Sequence, residues 1–188
     1  MNYYRAPDTF DLPKEKGEQS IFLAGSISNA KNWQQTIAEI SYEGLKLGDI
    51  FNIFNPRREN YNVFDPKLEL EQIEWEYRAI HFCGQILFWF SNETLAPITL
   101  FELGSALHTH IPDNIFIGID PEYQRKNDVI IQTSLRDKDL AERIVFSQEE
   151  LVEQIVKKTV DNSPIQSKII TSHKTTHDKK PTSIHRFI

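Results

Sequence analysis

The sequence contains a single cysteine, Cys83, and this scarcity excludes several classes of protein. One cysteine cannot form an internal disulfide framework, and it cannot supply a thiolate-rich metal site. The longest uncharged apolar run, residues 83–90, is far shorter than the roughly 20 residues that a membrane-spanning helix needs. The N-terminal segment has no apolar stretch of the kind found in signal peptides. We therefore expect a reduced, soluble, cytoplasmic protein.

Positive charge is also in short supply. The chain of 188 residues has 21 Lys and Arg against 27 Asp and Glu, and this balance argues against a basic nucleic-acid-binding face. The net charge of −6 is uneven, because residues 160–188 carry a net charge of +3 and the preceding part −9. We predict three parts: an irregular N-terminal arm at residues 1–19, one domain at residues 20–159, and a basic, disordered tail at residues 160–188.

Short apolar runs alternate with segments of helical periodicity after residue 19. The runs predict strands at residues 20–24, 50–54, 85–90, 114–119 and 143–146. The first helix is predicted at residues 32–47, with Gly48 as its cap. A second helix carries an apolar stripe of Leu70, Ile73, Tyr77 and Ile80. A third helix is predicted to begin at Pro97 and a last one at Ser147. This alternation indicates an α/β fold with a parallel sheet and helices on both faces.

Ligands of open α/β sheets bind beyond the carboxyl ends of the strands, where the strand order reverses. With the order 2-1-3-4-5, this crevice lies between the first and third predicted strands. Gly25 and Ser26 follow the first strand, and small residues there let backbone N–H groups approach an anion or a sugar hydroxyl. The turn has neither a Walker A lysine nor a G-x-G-x-x-G pattern, so an ordinary strand-to-helix turn is the alternative.

Glu102 lies in an apolar segment after the third predicted strand, in the early turns of a helix. The helix dipole favours an anion near this end, and a glycosidic nucleophile must be an anion. A glutamate selected only for its effect on the helix is the alternative. Gly104 is small, so a ligand or a strand could approach closely beside it.

Glu74, Trp75 and Glu76 form a second candidate cluster, on the helix with the apolar stripe. The two glutamates flank the stripe on opposite sides, and a helical wheel cannot choose between them. Trp75 is expected to point away from the stripe, and an exposed tryptophan indicates a partner or a ligand. A solvated acidic helix is the alternative.

Asn55, Arg57 and Arg58 follow the second predicted strand. Arginines at a binding edge suit a phosphate or a carboxylate, although a solvated basic turn has the same composition. No pair of histidines has a spacing suited to a metal ion, so we expect no metal site.

Taken together, these segments resemble the nucleoside 2-deoxyribosyltransferases, and in particular the branch labelled nucleoside 2-deoxyribosyltransferase-like. The similar segments cover about residues 20–157 and include FLAGSIS, FNPRR, QIEWE and ILFWFSNETLAPITLFELGSAL. The resemblance implies a flavodoxin-like Rossmann fold that cleaves the N-glycosidic bond of a 2′-deoxynucleoside and passes the deoxyribosyl group to another base, or to water. It also implies no cofactor, and a homo-oligomer with shared active sites.

The resemblance also implies roles for particular residues. Glu102, in the E-L-G motif, corresponds to the nucleophile that attacks C1′, and an alignment without gaps places the second catalytic carboxylate on Glu76. Trp33, Trp89 and Phe90 are expected to offer aromatic surface to the base.

Two positions depart from the family pattern. Phe22 replaces a tyrosine whose hydroxyl would hydrogen-bond to Glu102, and Ala96 replaces an Asp or Ser. Two alternatives therefore stay open: an N-glycohydrolase that holds a nucleoside 5′-monophosphate through Arg57, Arg58 and the turn of Gly25 and Ser26, and a non-catalytic nucleotide sensor. A nucleic-acid-binding role of the basic tail is a more remote alternative, and we expect neither a nucleic acid nor a membrane as a partner.

Overall fold

The computed structural model describes residues 2–10, 19–59 and 65–161. Two compact units are present, residues 1–156 and 157–188, and residues 162–188 of the predicted tail lie outside the described residues. In chain order the elements are β1 (Tyr3–Arg5), β2 (Ser20–Gly25), α1 (Trp33–Glu39), β3 (Ser41–Tyr42), β4 (Leu45–Lys46), α2 (Leu47–Ile50), β5 (Asn52–Asn55), α3 (Pro66–Phe82), β6 (Gln85–Phe90), α4 (Pro97–Thr109), a 3₁₀ turn (Pro112–Asn114), β7 (Ile115–Ile119), α5 (Lys126–Ser134), α6 (Lys138–Glu142) and α7 (Gln148–Asp161).

Five parallel strands form the main sheet in the order β1-β5-β2-β6-β7. The α/β fold class is confirmed, and β5-β2-β6-β7 reproduces the predicted order 2-1-3-4. The strand predicted at residues 143–146 is reduced to one parallel bridge between Gly118 and Val145. The fifth strand is instead β1, which pairs with β5 at the opposite edge. The N-terminal arm is therefore not irregular throughout. The sequence did not predict this edge strand, because β1 has only three residues and contains no apolar run.

Helices cover both faces of the sheet. One face, which includes Phe22, shares a continuous apolar cluster with α3 and α4. On the other face, α1 packs closely on the sheet, because a Cβ added at Gly25 would lie only 2.4 Å from the ring of Trp33 in α1. A Cβ at Gly118 would lie 2.8 Å from Leu151 in α7. Strands buried on both faces have apolar sequences without alternation, which explains why these runs predicted the strands correctly.

The helix predicted at residues 32–47 is interrupted. It ends at Glu39, and a short hairpin of β3 and β4 precedes α2. Glu43 and Gly44 have φ of 51° and 80°, the combination of a two-residue type I′ turn, which favours glycine. Gly48 lies within α2 and does not cap the first helix, so both expectations for this segment were wrong.

The helix α3 buries a different face from the one predicted. Leu70, Ile73 and Tyr77 of the apolar stripe are 58%, 56% and 64% exposed. Trp75, expected to point outwards, is 5% exposed, and its Nε1 donates to the carbonyl oxygen of Asp8 at 2.9 Å. The prediction of an exposed tryptophan was wrong because the helical wheel took the aliphatic stripe as the core face, whereas the larger indole occupies the core.

The N-terminal segment packs against this face of α3. Phe10 is 5% exposed, and its ring centroid lies 5.0 to 5.9 Å from those of Phe54, Trp75 and Phe82. The guanidinium of Arg78 lies 5.0 Å from the centroid of the Phe10 ring. These contacts make the segment part of the core and attach it to the helix that carries Glu76.

Helix length also bears on membrane insertion. The helix α3 has 17 residues, and none of the helices in the described ranges is both long and apolar enough to cross a membrane.

We expect Phe10→Ala to lower the free energy of unfolding by about 3 kcal/mol, because it removes a buried ring and leaves a cavity. Urea denaturation followed by tryptophan fluorescence measures the change. Leu135→Ala, at a position that is 76% exposed, is the control and should change the value by less than about 0.5 kcal/mol. Equal effects of the two substitutions would show that the arm does not contribute to the core.

Candidate active site

A pocket of about 440 Å³ lies beyond the carboxyl ends of β2 and β6. Because β2 lies between β5 and β6, this is the point where the strand order reverses. The volume suits a small organic ligand. Of the predicted site residues, the pocket brings together Phe22, Gly25, Ser26, Glu76 and Glu102.

Two carboxylates line the pocket from different helices. Glu76 lies in α3 and Glu102 in α4, and both are half-buried. Glu74 is exposed and lies outside the lining, so the structure distinguishes the two glutamates that the helical wheel could not. Glu76 accepts a hydrogen bond from Gln72 Nε2 at 2.7 Å. Within the described residues, the carboxylate of Glu102 has no hydrogen bond.

Burial perturbs the pKa of both carboxyl groups, and Glu102 also responds to the charge of Glu76. Burial, and then the neighbouring charge of Glu76, raise the pKa of Glu102 to about 8. Burial also raises the pKa of Glu76, while the hydrogen bond from Gln72 opposes that change. The expected stabilisation of a Glu102 anion by the helix dipole is outweighed, because the dipole acts on the first turn and Glu102 is the sixth residue of α4. Near neutral pH the pair therefore retains one proton.

Basic side chains are absent from the described lining of the pocket, which has three glutamates. Arg57 and Arg58, predicted as partners of a phosphate or a carboxylate, lie outside the lining. Arg58 is paired with Glu71 at 2.6 Å and donates to the carbonyl oxygen of Leu68. The pocket therefore has the electrostatic character of a site for a neutral or cationic ligand.

Arg57 positions the loop that follows β2. Its guanidinium donates to the carbonyl oxygens of Ser26, Ala30 and Lys31 at 3.2, 3.2 and 2.8 Å. Its Nε donates to Gln34 Oε1 at 2.9 Å. The planar guanidinium suits such a set of acceptors, so this side chain holds one wall of the pocket in shape.

The loop before α4 is fixed in a similar way. The hydroxyl groups of Thr94 and Ser26 hydrogen-bond to each other, which joins the two loops that border the pocket. The hydroxyl of Tyr123 donates to the carbonyl oxygen of Leu95 at 2.8 Å. Both loops are thus held by side-chain hydrogen bonds rather than by strand pairing.

The two positions that depart from the family pattern both line the pocket. Ala96 is the N-cap of α4 and has φ of 47°, a left-handed conformation that alanine rarely adopts. Such strain is stored at functional sites when the surrounding structure enforces it. Phe22 is 1% exposed and presents an apolar ring where a tyrosine would offer a hydroxyl.

The aromatic residues predicted to contact the base are placed outside the pocket lining. Trp33 is buried, and its Nε1 donates to the carbonyl oxygen of Ser26 at 2.9 Å. A Cβ at Gly118 would lie 2.7 Å from the ring of Trp89, so Trp89 packs on the sheet face that α7 covers. Phe90 is fully buried in the apolar cluster. All three rings are therefore buried in the core and do not line the pocket.

Three more of the predicted binding residues also lie outside the lining. Asn55 is buried; its Nδ2 donates to Tyr3 Oη at 2.7 Å, and its Oδ1 accepts from the Arg57 backbone N–H. Trp75 belongs to the core. Gly104 has no atom within 4 Å of the position of an added Cβ, so nothing in the described structure requires a glycine there.

A comparison with protein families matches the description nucleoside 2-deoxyribosyltransferase-like to residues 18–123, more than half of the chain. The chain belongs to the nucleoside 2-deoxyribosyltransferase-like family. The matched segment contains β2, α3, β6 and α4, the elements that form the pocket, whereas β1 and α5 to α7 lie outside it. The family indicates a transferase-like or glycosidase-like enzyme. No curated protein matches the sequence.

Gln72 and Thr94 both line the pocket, although the sequence did not predict them as site residues. Gln72 precedes Glu76 by one helical turn, and the i,i+4 spacing was a signal that could have identified it. Thr94 lies in a turn of polar residues, where no pattern separates a pocket hydroxyl from an ordinary loop residue.

The raised pKa of Glu102 predicts a pH-dependent cost to stability. An unfolded chain ionises this carboxyl near pH 4.5, whereas the folded chain does so near pH 8, so raising the pH between these values favours unfolding. Glu102→Gln removes the effect. We expect it to stabilise the fold by about 3 kcal/mol more at pH 8 than at pH 5, measured by urea denaturation.

Glu74→Gln, on the exposed side of α3, is the matched control and should show no comparable change with pH. A difference between wild type and Glu102→Gln that stays constant from pH 5 to pH 8 would contradict the placement of Glu102 in a desolvated pair.

Proposed function

We propose that this enzyme cleaves the N-glycosidic bond of a (2′-deoxy)nucleoside and transfers the deoxyribosyl group to another base through a covalent glycosyl-enzyme on Glu102. The observation that carries the proposal is the placement of Glu76 and Glu102 in one pocket, at the strand-order reversal, in a chain of this family. Both residues occupy the positions that the family resemblance assigns to catalytic carboxylates.

The chemistry of the carboxylate pair suits this reaction. Departure of the base leaves positive charge at C1′, which an adjacent carboxylate stabilises. The C1′–N bond breaks, a bond forms between C1′ and a carboxylate oxygen of Glu102, and the proton held by the pair leaves with the base. The incoming base then displaces Glu102 from C1′ and returns a proton, so that two displacements retain the configuration.

The charges of the pocket favour a nucleoside over a nucleoside 5′-monophosphate. A phosphate would add negative charge beside three glutamates, and the described lining provides no basic side chain to balance it. Arg57 and Arg58, the basic residues of the monophosphate hypothesis, are bonded to loop carbonyls and to Glu71. A neutral 5′-hydroxyl avoids this repulsion.

The test is incubation of the protein with a deoxynucleoside and a different free base, analysed by chromatography and mass spectrometry. We expect exchanged deoxynucleoside from the wild type and a loss of at least about 1,000-fold in Glu102→Gln, because the nucleophile is removed. Glu74→Gln changes an exposed glutamate of α3 and should retain the activity.

The other outcomes are informative. Release of free deoxyribose without an exchanged product would contradict transfer and support hydrolysis. Turnover of the 5′-monophosphate alone would contradict the substrate assignment. If nucleosides raise the melting temperature but neither nucleosides nor their 5′-monophosphates are turned over, the protein is a sensor and the enzymatic proposal fails.

We also propose that the enzyme is a homo-oligomer in which a second copy covers the rim of the pocket. An exposed apolar rim lies on α3 and before and within α4, and such surfaces mark interaction sites. Its side chains are 50% to 76% exposed: Leu70, Ile73, Tyr77, Leu95, Ile98 and Phe101. Ile73, Leu95 and Ile98 also line the pocket. A two-fold contact would let each copy cover the same surface of the other.

Sedimentation velocity tests the assembly. We expect an oligomer for the wild type, and a shift to monomer with at least about a tenfold loss of exchange for Phe101→Glu, because the new charge would be buried at the interface. Leu135→Glu is the control, since Leu135 and Phe101 are equally exposed, at 76%. A wild type that is fully active as a monomer would overturn this part of the proposal.

A further inference from the structure

Gln72 is a buried polar side chain in the pocket wall, and its amide is bonded on one side only. It is 3% exposed, and its Nε2 donates to the carbonyl oxygen of Pro56 and to Glu76 Oε1, both at 2.7 Å. Among the described residues, its Oε1 has no hydrogen-bond partner. The structure therefore leaves an acceptor unpaired in order to keep both N–H groups of the amide engaged.

The carbonyl of Pro56 determines which way the amide faces. A backbone carbonyl can only accept a hydrogen bond, so it requires the amide nitrogen of Gln72 on its side. The reversed amide would place Oε1 against the Pro56 oxygen and against the Glu76 carboxylate, with no donor among the three groups. Gln72 thus presents a donor to Glu76 as a consequence of the backbone path after β5.

A donor aimed at a carboxylate favours its ionised form, because a hydrogen bond to a charged acceptor is stronger than one to a neutral acceptor. Glu76 receives such a bond, and Glu102 receives none within the described residues. We propose that Gln72 is a positioning residue that keeps Glu76 ionised and leaves the proton of the carboxylate pair on Glu102.

The surrounding charges do not offer a competing explanation. On α3, Glu69 also lines the pocket and would repel either anion. On the adjoining loops, Arg57 and Arg58 lie outside the lining with their own partners. Lys31 and Glu93, on the loops after β2 and β6, bond to each other outside the lining. The amide of Gln72 is the group that distinguishes the two carboxylates by direct contact.

The inference deepens the proposed function and rests on it for its chemical meaning. An ionised carboxylate only accepts hydrogen bonds, so Glu76 would recognise a donor of the nucleoside, such as a sugar hydroxyl or a base N–H. Glu102 attacks C1′ from the face opposite the base, so the proton that it holds at rest would pass through Glu76 to the departing base, which leaves Glu102 as the attacking anion. The test below does not require turnover, so the two proposals can fail separately.

Carbon-13 NMR titration of the glutamate carboxyl groups in the full chain tests the assignment of the proton, with Glu76→Gln and Glu102→Gln used to assign the signals. In the wild type we expect Glu76 to titrate at lower pH than Glu102. In Gln72→Met, which keeps the size and removes the donor, the Glu76 midpoint should rise by about one pH unit and that of Glu102 should fall.

The same substitution in a chain that lacks the Glu76 carboxyl group distinguishes a positioning role of Gln72 from general structural damage. If Gln72 acts through Glu76, then Gln72→Met should not move the Glu102 midpoint in a chain that already carries Glu76→Gln. Gln85→Met is the matched control, because the Oε1 of Gln85 is also buried without a hydrogen-bond partner among the described residues, and Gln85 lies outside the pocket lining. It should leave both midpoints unchanged.

The wild type provides a measurement that does not depend on the variants folding. The side-chain NH₂ signals of Gln72 should follow the Glu76 titration. Amide signals that ignore that titration would overturn the proposal, as would unchanged midpoints in folded Gln72→Met. If the carboxyl groups titrate as expected but no base is exchanged, the positioning role of Gln72 is supported and the proposed transferase activity is rejected.

Discussion

Two carboxylates with no basic side chain in the described lining of their pocket impose the physical constraint on which the candidate active site depends. Burial raises the pKa of both Glu76 and Glu102, and the charge of Glu76 raises that of Glu102 further. Both effects favour moving the helices apart or admitting water. A pocket of this kind persists only if the surrounding structure holds α3 and α4 in place at a cost in stability. The polar side chains around the pocket can be understood from that requirement.

Three of those side chains bind the backbone and lie outside the pocket lining. Arg57 holds the carbonyls of the loop after β2, Tyr123 holds the loop before α4, and Trp75 attaches α3 to the N-terminal segment. Each bond is made by a residue outside the pocket lining, so a ligand can enter the cavity without displacing any of these side chains. Such preorganisation places reacting groups without a cost at the moment of reaction.

The sequence predicted those features of the fold that depend on neighbouring residues, and it failed for those that depend on contacts between distant segments. Apolar runs predicted β2, β5, β6 and β7 correctly, since burial on both faces is a local property of a strand. The orientation of α3 was mistaken, because Ile73 of its apolar stripe lies at the pocket rim and Trp75 is in the core. The composition of a loop also could not show that Arg57 faces backbone carbonyls, because that depends on the path of two distant segments. These two failures lie beside the pocket, whereas the errors at β1, at residues 143–146 and in the β3–β4 hairpin involve no residue that lines it.

The exposed rim bears on the choice between transfer and hydrolysis in the proposed reaction. Either acceptor restores the same state of the carboxylate pair, because an incoming base or a water molecule gives up one proton as it displaces Glu102 from C1′. The pair alone therefore cannot select the acceptor. Selection falls to the residues that control water at the pocket mouth, where Ile73, Leu95 and Ile98 are apolar. A second copy lying on these residues would exclude water while a base remained bound, and the covalent intermediate would then persist long enough for exchange.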